Sequence, residues 1–133
     1  MNSFITTIIE QCAKSSHEGN ASFGAIVHAL IEAGVESYFA DYRLRTTTYY
    51  LPSGEAHVVP LATPSTEIPT PFDKPAIQAA IHGAQRGEVR YPEFMRLSMA
   101  AGCVGYIVWM SGRHVAYLGR CGEVHIEHFP STK

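Results

Sequence analysis

The chain has 133 residues, of which 46% are hydrophobic and 17% charged. That balance is globular rather than disordered, and a chain of this length buries enough surface to fold as one domain without metal or disulfide staples. Ten Lys+Arg against twelve Asp+Glu leave a net charge of −2, which excludes a strongly basic nucleic-acid binder and an acidic tail.

The first predicted element is a helix whose stripe is Phe4, Ile5, Ile8, Ile9 and Cys12. Gly19 stops it, where a left-handed residue is needed. A second helix follows, capped by Ser22, with Phe23, Ile26, Val27, Leu30 and Ile31 on one face and Gly34 at its end. Aromatic and β-branched residues then predict three strands, Glu36 to Tyr42, Arg45 to Leu51 and Glu55 to Pro60. Four of the eight prolines fall between Pro60 and Phe72, a composition suited to an extended connection.

The same order then recurs. Asp73 caps a helix carrying Ile77, Ala80, Ile81 and Ala84, which Gly87 stops. Pro92 opens a helix with Phe94, Met95, Ser98 and Met99 on its stripe, ended by Gly102. Strands are expected over Gly105 to Met110, Arg113 to Leu118 and Glu123 to Phe129. An ungapped shift of 68 residues pairs Ala33-Gly34 with Ala101-Gly102, Tyr38 with Tyr106, Arg45 with Arg113, Tyr49 with Tyr117, Gly54-Glu55 with Gly122-Glu123 and His57 with His125. These are eight identities in the 25 positions from Ala33 to His57, where average residue usage gives roughly one or two. The expected architecture is α+β: a tandem duplication of an α-α-β-β-β unit, with helices on one face of an antiparallel sheet and an internal pseudo-two-fold. The single domain divides into a first repeat over 1–60, a connection over 61–72 and a second repeat over 73–133.

Ser53-Gly54 and Cys121-Gly122 read as two-residue hairpin turns. Pairing the strands about such turns places Val115, Tyr117, Val124 and Ile126 toward the helices, and His114, Glu123, His125 and Glu127 on an outer, polar face. Residues two apart on a strand share a side, so Glu55 can lie beside His57, and Glu123 beside His125. A carboxylate next to an imidazole is the minimum hardware for general acid–base work. It is equally a pair of complementary charges on a solvated sheet. Arg45 and Arg113 could grip an anion, or snorkel to the edge or pair with an acidic residue such as Asp41. No catalytic residue and no metal ligand is assigned, and no cofactor is expected. The candidate ligand-binding set is Glu55, His57, His114, Glu123, His125, Arg45 and Arg113.

The three cysteines, Cys12, Cys103 and Cys121, are a poor disulfide framework. The N-terminus has no signal-peptide pattern. No apolar run approaches the roughly 18 residues of a membrane span. A cytoplasmic location is therefore expected, with a second copy or another protein as partner, and neither nucleic acid nor membrane. Phosphate-binding glycine loops, nucleophile elbows and paired-cysteine motifs are absent from the sequence.

The run from Phe72-Asp73 through Gln85-Arg86-Gly87-Glu88-Val89-Arg90-Tyr91-Pro92-Glu93-Phe94 resembles a segment of the YbcV-like family of small bacterial proteins. Ala100 to Tyr106, Gly112-Arg113 and Tyr117-Leu118-Gly119 continue the likeness, which covers nearly the whole chain. The resemblance implies a bacterial or prophage-borne protein, some members being labelled phage envelope proteins. It carries over no catalytic residue. The reading that follows is a non-enzymatic binding or accessory module using the polar sheet face or the cleft between the copies. The alternative is a small hydrolase or metal-dependent enzyme built on His114, Glu123 and His125.

Overall fold

The computed structural model describes residues 1–130. Helices α1 (Ser3–Glu18) and α2 (Phe23–Glu32) precede strands β1 (Ser37–Asp41), β2 (Thr46–Tyr50) and β3 (Ala56–Pro60). Helices α3 (Lys74–Gln85) and α4 (Tyr91–Ala100) precede β4 (Cys103–Trp109), β5 (His114–Gly119) and β6 (Val124–His128). The caps fall where the polar residues stand: Asn2, Ser22 and Asp73 each accept a backbone N–H of the first turn. Gly19 closes α1 in the left-handed conformation with φ of 72°.

The six strands form one antiparallel sheet in the order β3-β2-β1-β4-β5-β6. Its centre is the β1–β4 pair, with Ala40 opposite Tyr106 and Tyr38 opposite Val108. Because each half is a meander, joining the halves through their first strands generates this symmetric order. The helices cover the face bearing Tyr38, Ala40, Thr47, Tyr49, Tyr106, Val108, Val115 and Tyr117, all buried. Ile9, Leu30, Ile77 and Met95 supply fully buried side chains from the four helices. Each such side chain contributes roughly 1.5–3 kcal/mol by leaving water. A buried side-chain contact also joins the halves: the Tyr42 hydroxyl lies 2.9 Å from the Ser98 hydroxyl.

The last hairpin of each half corrects the expected faces. Leu51 N–H donates to the Glu55 carbonyl at 2.9 Å, and Gly119 N–H to the Glu123 carbonyl at 2.8 Å. The loops are thus three residues long, Pro52-Ser53-Gly54 and Arg120-Cys121-Gly122, with Gly54 and Gly122 left-handed. One extra loop residue moves the register by one, and every side chain of β3 and β6 changes face. His57 therefore stands opposite Tyr49, and His125 opposite Tyr117, on the helix side. Val124 and Ile126, expected toward the helices, face outward and are exposed, as is Val58 at the place equivalent to Ile126.

Arg45 and Arg113 are not regular strand residues. Both have positive φ, 62° and 54°, at the turn before β2 and β5. Their carbonyls accept from Leu61 N–H and Phe129 N–H, each at 2.9 Å, so each Arg fastens the segment that leaves the neighbouring edge strand.

Candidate functional site: a tyrosine-floored cleft

The residues repeated between the halves meet in one row. Across the helix-facing side of the sheet His57, Tyr49 and Tyr38 stand directly opposite one another, as do Tyr106, Tyr117 and His125, and the two triplets meet diagonally at the β1–β4 seam, where Tyr38 faces Val108 and Tyr106 faces Ala40. Ring centroids are 5.2 Å apart for Tyr38–Tyr49, 6.4 Å for Tyr38–Tyr106, 5.6 Å for Tyr106–Tyr117 and 6.3 Å for Tyr117–His125. These are ordinary spacings for tilted and edge-on aromatic pairs. Phe94 of α4 closes on the row from above, 6.0 Å from Tyr117 and 6.4 Å from Tyr106.

Burial raises the phenol pKa of Tyr38, Tyr42, Tyr49, Tyr106 and Tyr117 well beyond the usual range, and that of Tyr91 to about 12. For Tyr117, desolvation leads, and the negative charges of Cys103 and Glu127 oppose ionisation further. These hydroxyls are neutral near pH 7 and act as hydrogen-bonding groups, not as bases. The Tyr106 hydroxyl donates to Tyr91 at 2.8 Å. Those of Tyr38 and Tyr117 make no side-chain hydrogen bond among the described residues and belong to residues lining the cleft.

At the ends of the row each imidazole takes a carboxylate. His57 Nε2 lies 3.0 Å from Glu10 Oε2 of α1. His125 Nε2 lies 3.2 Å from Glu127 Oε1, two residues on along β6. Alternation puts Glu127 on the same inner face, and it is 20% exposed.

Two adjoining cavities lie between sheet and helices and share Tyr38, Tyr91 and Tyr106. The larger, about 410 Å³, is walled by the α1–α2 turn from Gly19 to Phe23, by Ala84, Val89 and Arg90, and by Val115, Tyr117, Glu127 and Phe129. The smaller, about 280 Å³, lies over the first half and is bounded by Glu10, Lys14, His17, Thr47, Tyr49 and Val59. The larger is within the size range of small-molecule sites. Its walls are mainly apolar, with one residue of each charge sign, Arg90 and Glu127.

Of the candidate residues, His57 and His125 lie at the ends of this row, each with a carboxylate other than its Glu-x-His neighbour. Glu55 sits beyond the row, bonded to the Met1 amino group and to Ser53, and the amino group holds its carboxyl below the usual range. Glu123 turns back to accept from Cys121 N–H at 2.9 Å. His114 is on the opposite face, 6.0 Å from His128. The cluster of His114, Glu123 and His125 is therefore split between two faces. Among the described residues no three His, Cys, Asp or Glu side chains form a group that could hold a metal ion. Arg45 and Arg113 are exposed, and the Arg113 guanidinium sits 5.7 Å from the Phe129 ring centre. The cleft walls that sequence reasoning missed, Ser22, Val89, Arg90 and Phe129, come from separate segments. The repeated tyrosines are the sequence signal for its floor.

The comparisons with known proteins give a distant relationship. No protein-family model matches the chain. The chain is 27% identical over 101 residues to three mycobacterial proteins: "Uncharacterized protein Rv2012" and "Uncharacterized protein MT2067" of two Mycobacterium tuberculosis strains, and "Uncharacterized protein Mb2035" of Mycobacterium bovis. The match covers 68% of this chain and 61% of each relative, so it spans less than two-thirds of their length. No helix among the described residues is long and apolar enough to cross a membrane.

Proposed function

We propose that this protein is a non-enzymatic binding module for a small, largely apolar organic molecule, held in the larger cavity above Tyr106 and Tyr117. The observation that carries the reading is the cavity of about 410 Å³ with aromatic and aliphatic walls. Apolar walls supply affinity, and a few placed polar groups orient the guest. Here those groups are the Tyr38 and Tyr117 hydroxyls, Arg90 and Glu127. The opposed charges of the last two favour a neutral or zwitterionic guest over a net ion. The raised phenol pKa values suit a binding floor better than a proton-transferring one. Membership of the YbcV-like family and a cytoplasmic setting are part of the same proposal. The motif from Gln85 to Phe94 supports it, since its residues Gln85, Gly87, Val89, Arg90, Tyr91 and Phe94 line this cavity.

Native mass spectrometry of freshly purified protein, alone and with added indole, tests the reading. A small organic mass retained on the folded chain, or an indole adduct, is expected, lost on denaturation and lost in Ala84→Phe, which fills the wall. A bare chain that takes up no indole contradicts it.

A further inference from the structure

Among the described residues, the sheet face opposite the helices carries almost no charge and no covering element. Its central row, one residue per strand, is Val58, Thr48, Phe39, Ile107, Ala116 and Ile126. Leu118 opposite Val124 adds an apolar pair at one end, and Tyr50 and Trp109 flank Ser37 at the other. Tyr50, Val58, Trp109, Val124 and Ile126 are each 41–54% exposed. The ionisable residues on the face are Asp41, His114 and His128, all at strand ends. Asp41 Oδ1 accepts the N–H groups of Arg43 and Leu44, and His114 Nδ1 meets the Gly112 carbonyl, so both are engaged locally. An isolated soluble chain rarely leaves so large an apolar area to water.

We propose that this face is the interface of a homodimer, in which a second copy packs sheet against sheet as a two-layer sandwich. Size favours that occupant. Six strands at about 4.8 Å and five residues at about 3.3 Å give a face of roughly 29 by 17 Å, near 500 Å² in projection. The accessible area is larger, since side chains stand out of the plane, which brings it to the scale of the roughly 800 Å² per partner of a stable interface. A single helix, about 10–12 Å across, covers two of the six strands. A second copy offers a sheet of the same width and twist, which packs about 10 Å away. Charge favours it too, because the neutral centre sets no like charges against each other across a two-fold axis. The row also repeats under the 68-residue shift, Phe39 with Ile107 and Val58 with Ile126, so both halves present equivalent bulk to a symmetric partner. The inference is independent of the ligand cleft, which lies on the other face.

The one tryptophan of the sequence, Trp109, stands on this face and reports on it directly. Sedimentation equilibrium of the full chain is expected to show a dimer at micromolar concentration. On dilution to the monomer, Trp109 emission should move to the red and acrylamide quenching should rise, with unchanged far-UV circular dichroism. Val58→Lys with Ile126→Lys, both at exposed positions, should weaken the dimer by more than about tenfold. A chain that stays monomeric to about 100 μM, a dimer whose Trp109 is as accessible as in the monomer, or a dimer untouched by folded lysine variants would each overturn the proposal. Should the lysine variants fail to fold, the wild-type dilution series decides alone.

Discussion

The two halves of the molecule share an element order but differ in what stands over the floor. In the first half, His57 reaches up to Glu10 of α1, and Glu10, Lys14 and His17 crowd the space above Tyr49 to about 280 Å³. In the second half, Gln78 stands where the first has Glu10, and Glu127 where it has Val59. His125 then finds its carboxylate on its own strand, and the space above Tyr117 opens to about 410 Å³. The row of tyrosines is common to both, so shared packing does not distinguish a site. The walls do, and the site is assigned to the larger cavity, which lies over the second-half floor and is closed on one side by the α1–α2 turn of the first half.

The halves differ most at two glycines with nearly the same dihedral. Gly34 and Gly102 end α2 and α4 with φ of 93° and 95°. A Cβ at Gly34 meets nothing within 4 Å, whereas one at Gly102 falls 2.2 Å from the Pro71 carbonyl oxygen. Gly34→Ala should cost about 1 kcal/mol for the left-handed backbone alone. Gly102→Ala should cost about 3 kcal/mol or more, because the connection between the halves must move as well. Urea denaturation of both variants checks this, and equal costs would mean that Pro71 yields freely.

A smaller effect is expected at Ser98, which occupies the place of Leu30 in the other half. Ser98→Ala strands the Tyr42 hydroxyl, itself 1% exposed, and should lower stability by roughly 1–2 kcal/mol. Adding Tyr42→Phe should recover part of that loss in the same denaturation series.

The smallest effect near neutrality, growing with alkali, comes from proton linkage. Burial pushes the Cys103 thiol from 9.0 up to about 11, and the buried phenols also hold their protons more tightly than in the unfolded chain. Above pH 9 the unfolded chain releases protons that the fold retains, so stability falls with rising pH. That loss should continue through about pH 11, where Cys103 ionises within the fold. Most tyrosinate absorbance should appear together with the loss of far-UV circular dichroism, and tyrosinate appearing well before unfolding would place the row in water.

How much of this was legible in the sequence depends on where each signal sits. The helices and their stops were readable because Gly19, Ser22 and Asp73 perform local tasks with known residue preferences. The central strands were readable for the same reason, and the pairs Tyr38/Tyr106 and Tyr49/Tyr117 marked the floor. The faces of β3 and β6 were misread because Ser53-Gly54 and Cys121-Gly122 belong to three-residue loops, and a single residue of loop length inverts a strand. That inversion turned His57, His125 and Glu127 inward and put Val58, Val124 and Ile126 on the surface. Arg45 and Arg113 were misplaced because a left-handed Arg has no strong local signature. The walls of the cleft were invisible, since Ser22, Val89 and Phe129 meet only once the chain has folded.

The assignment of the site to the larger cavity is tested by an amide chemical-shift map of the 15N-labelled protein titrated with indole. The largest shifts are expected at Phe23, Val89, Tyr117 and Phe129, with small ones at Lys14, Thr47 and Val59. Largest shifts over the first-half cavity, or none at either, would contradict the assignment.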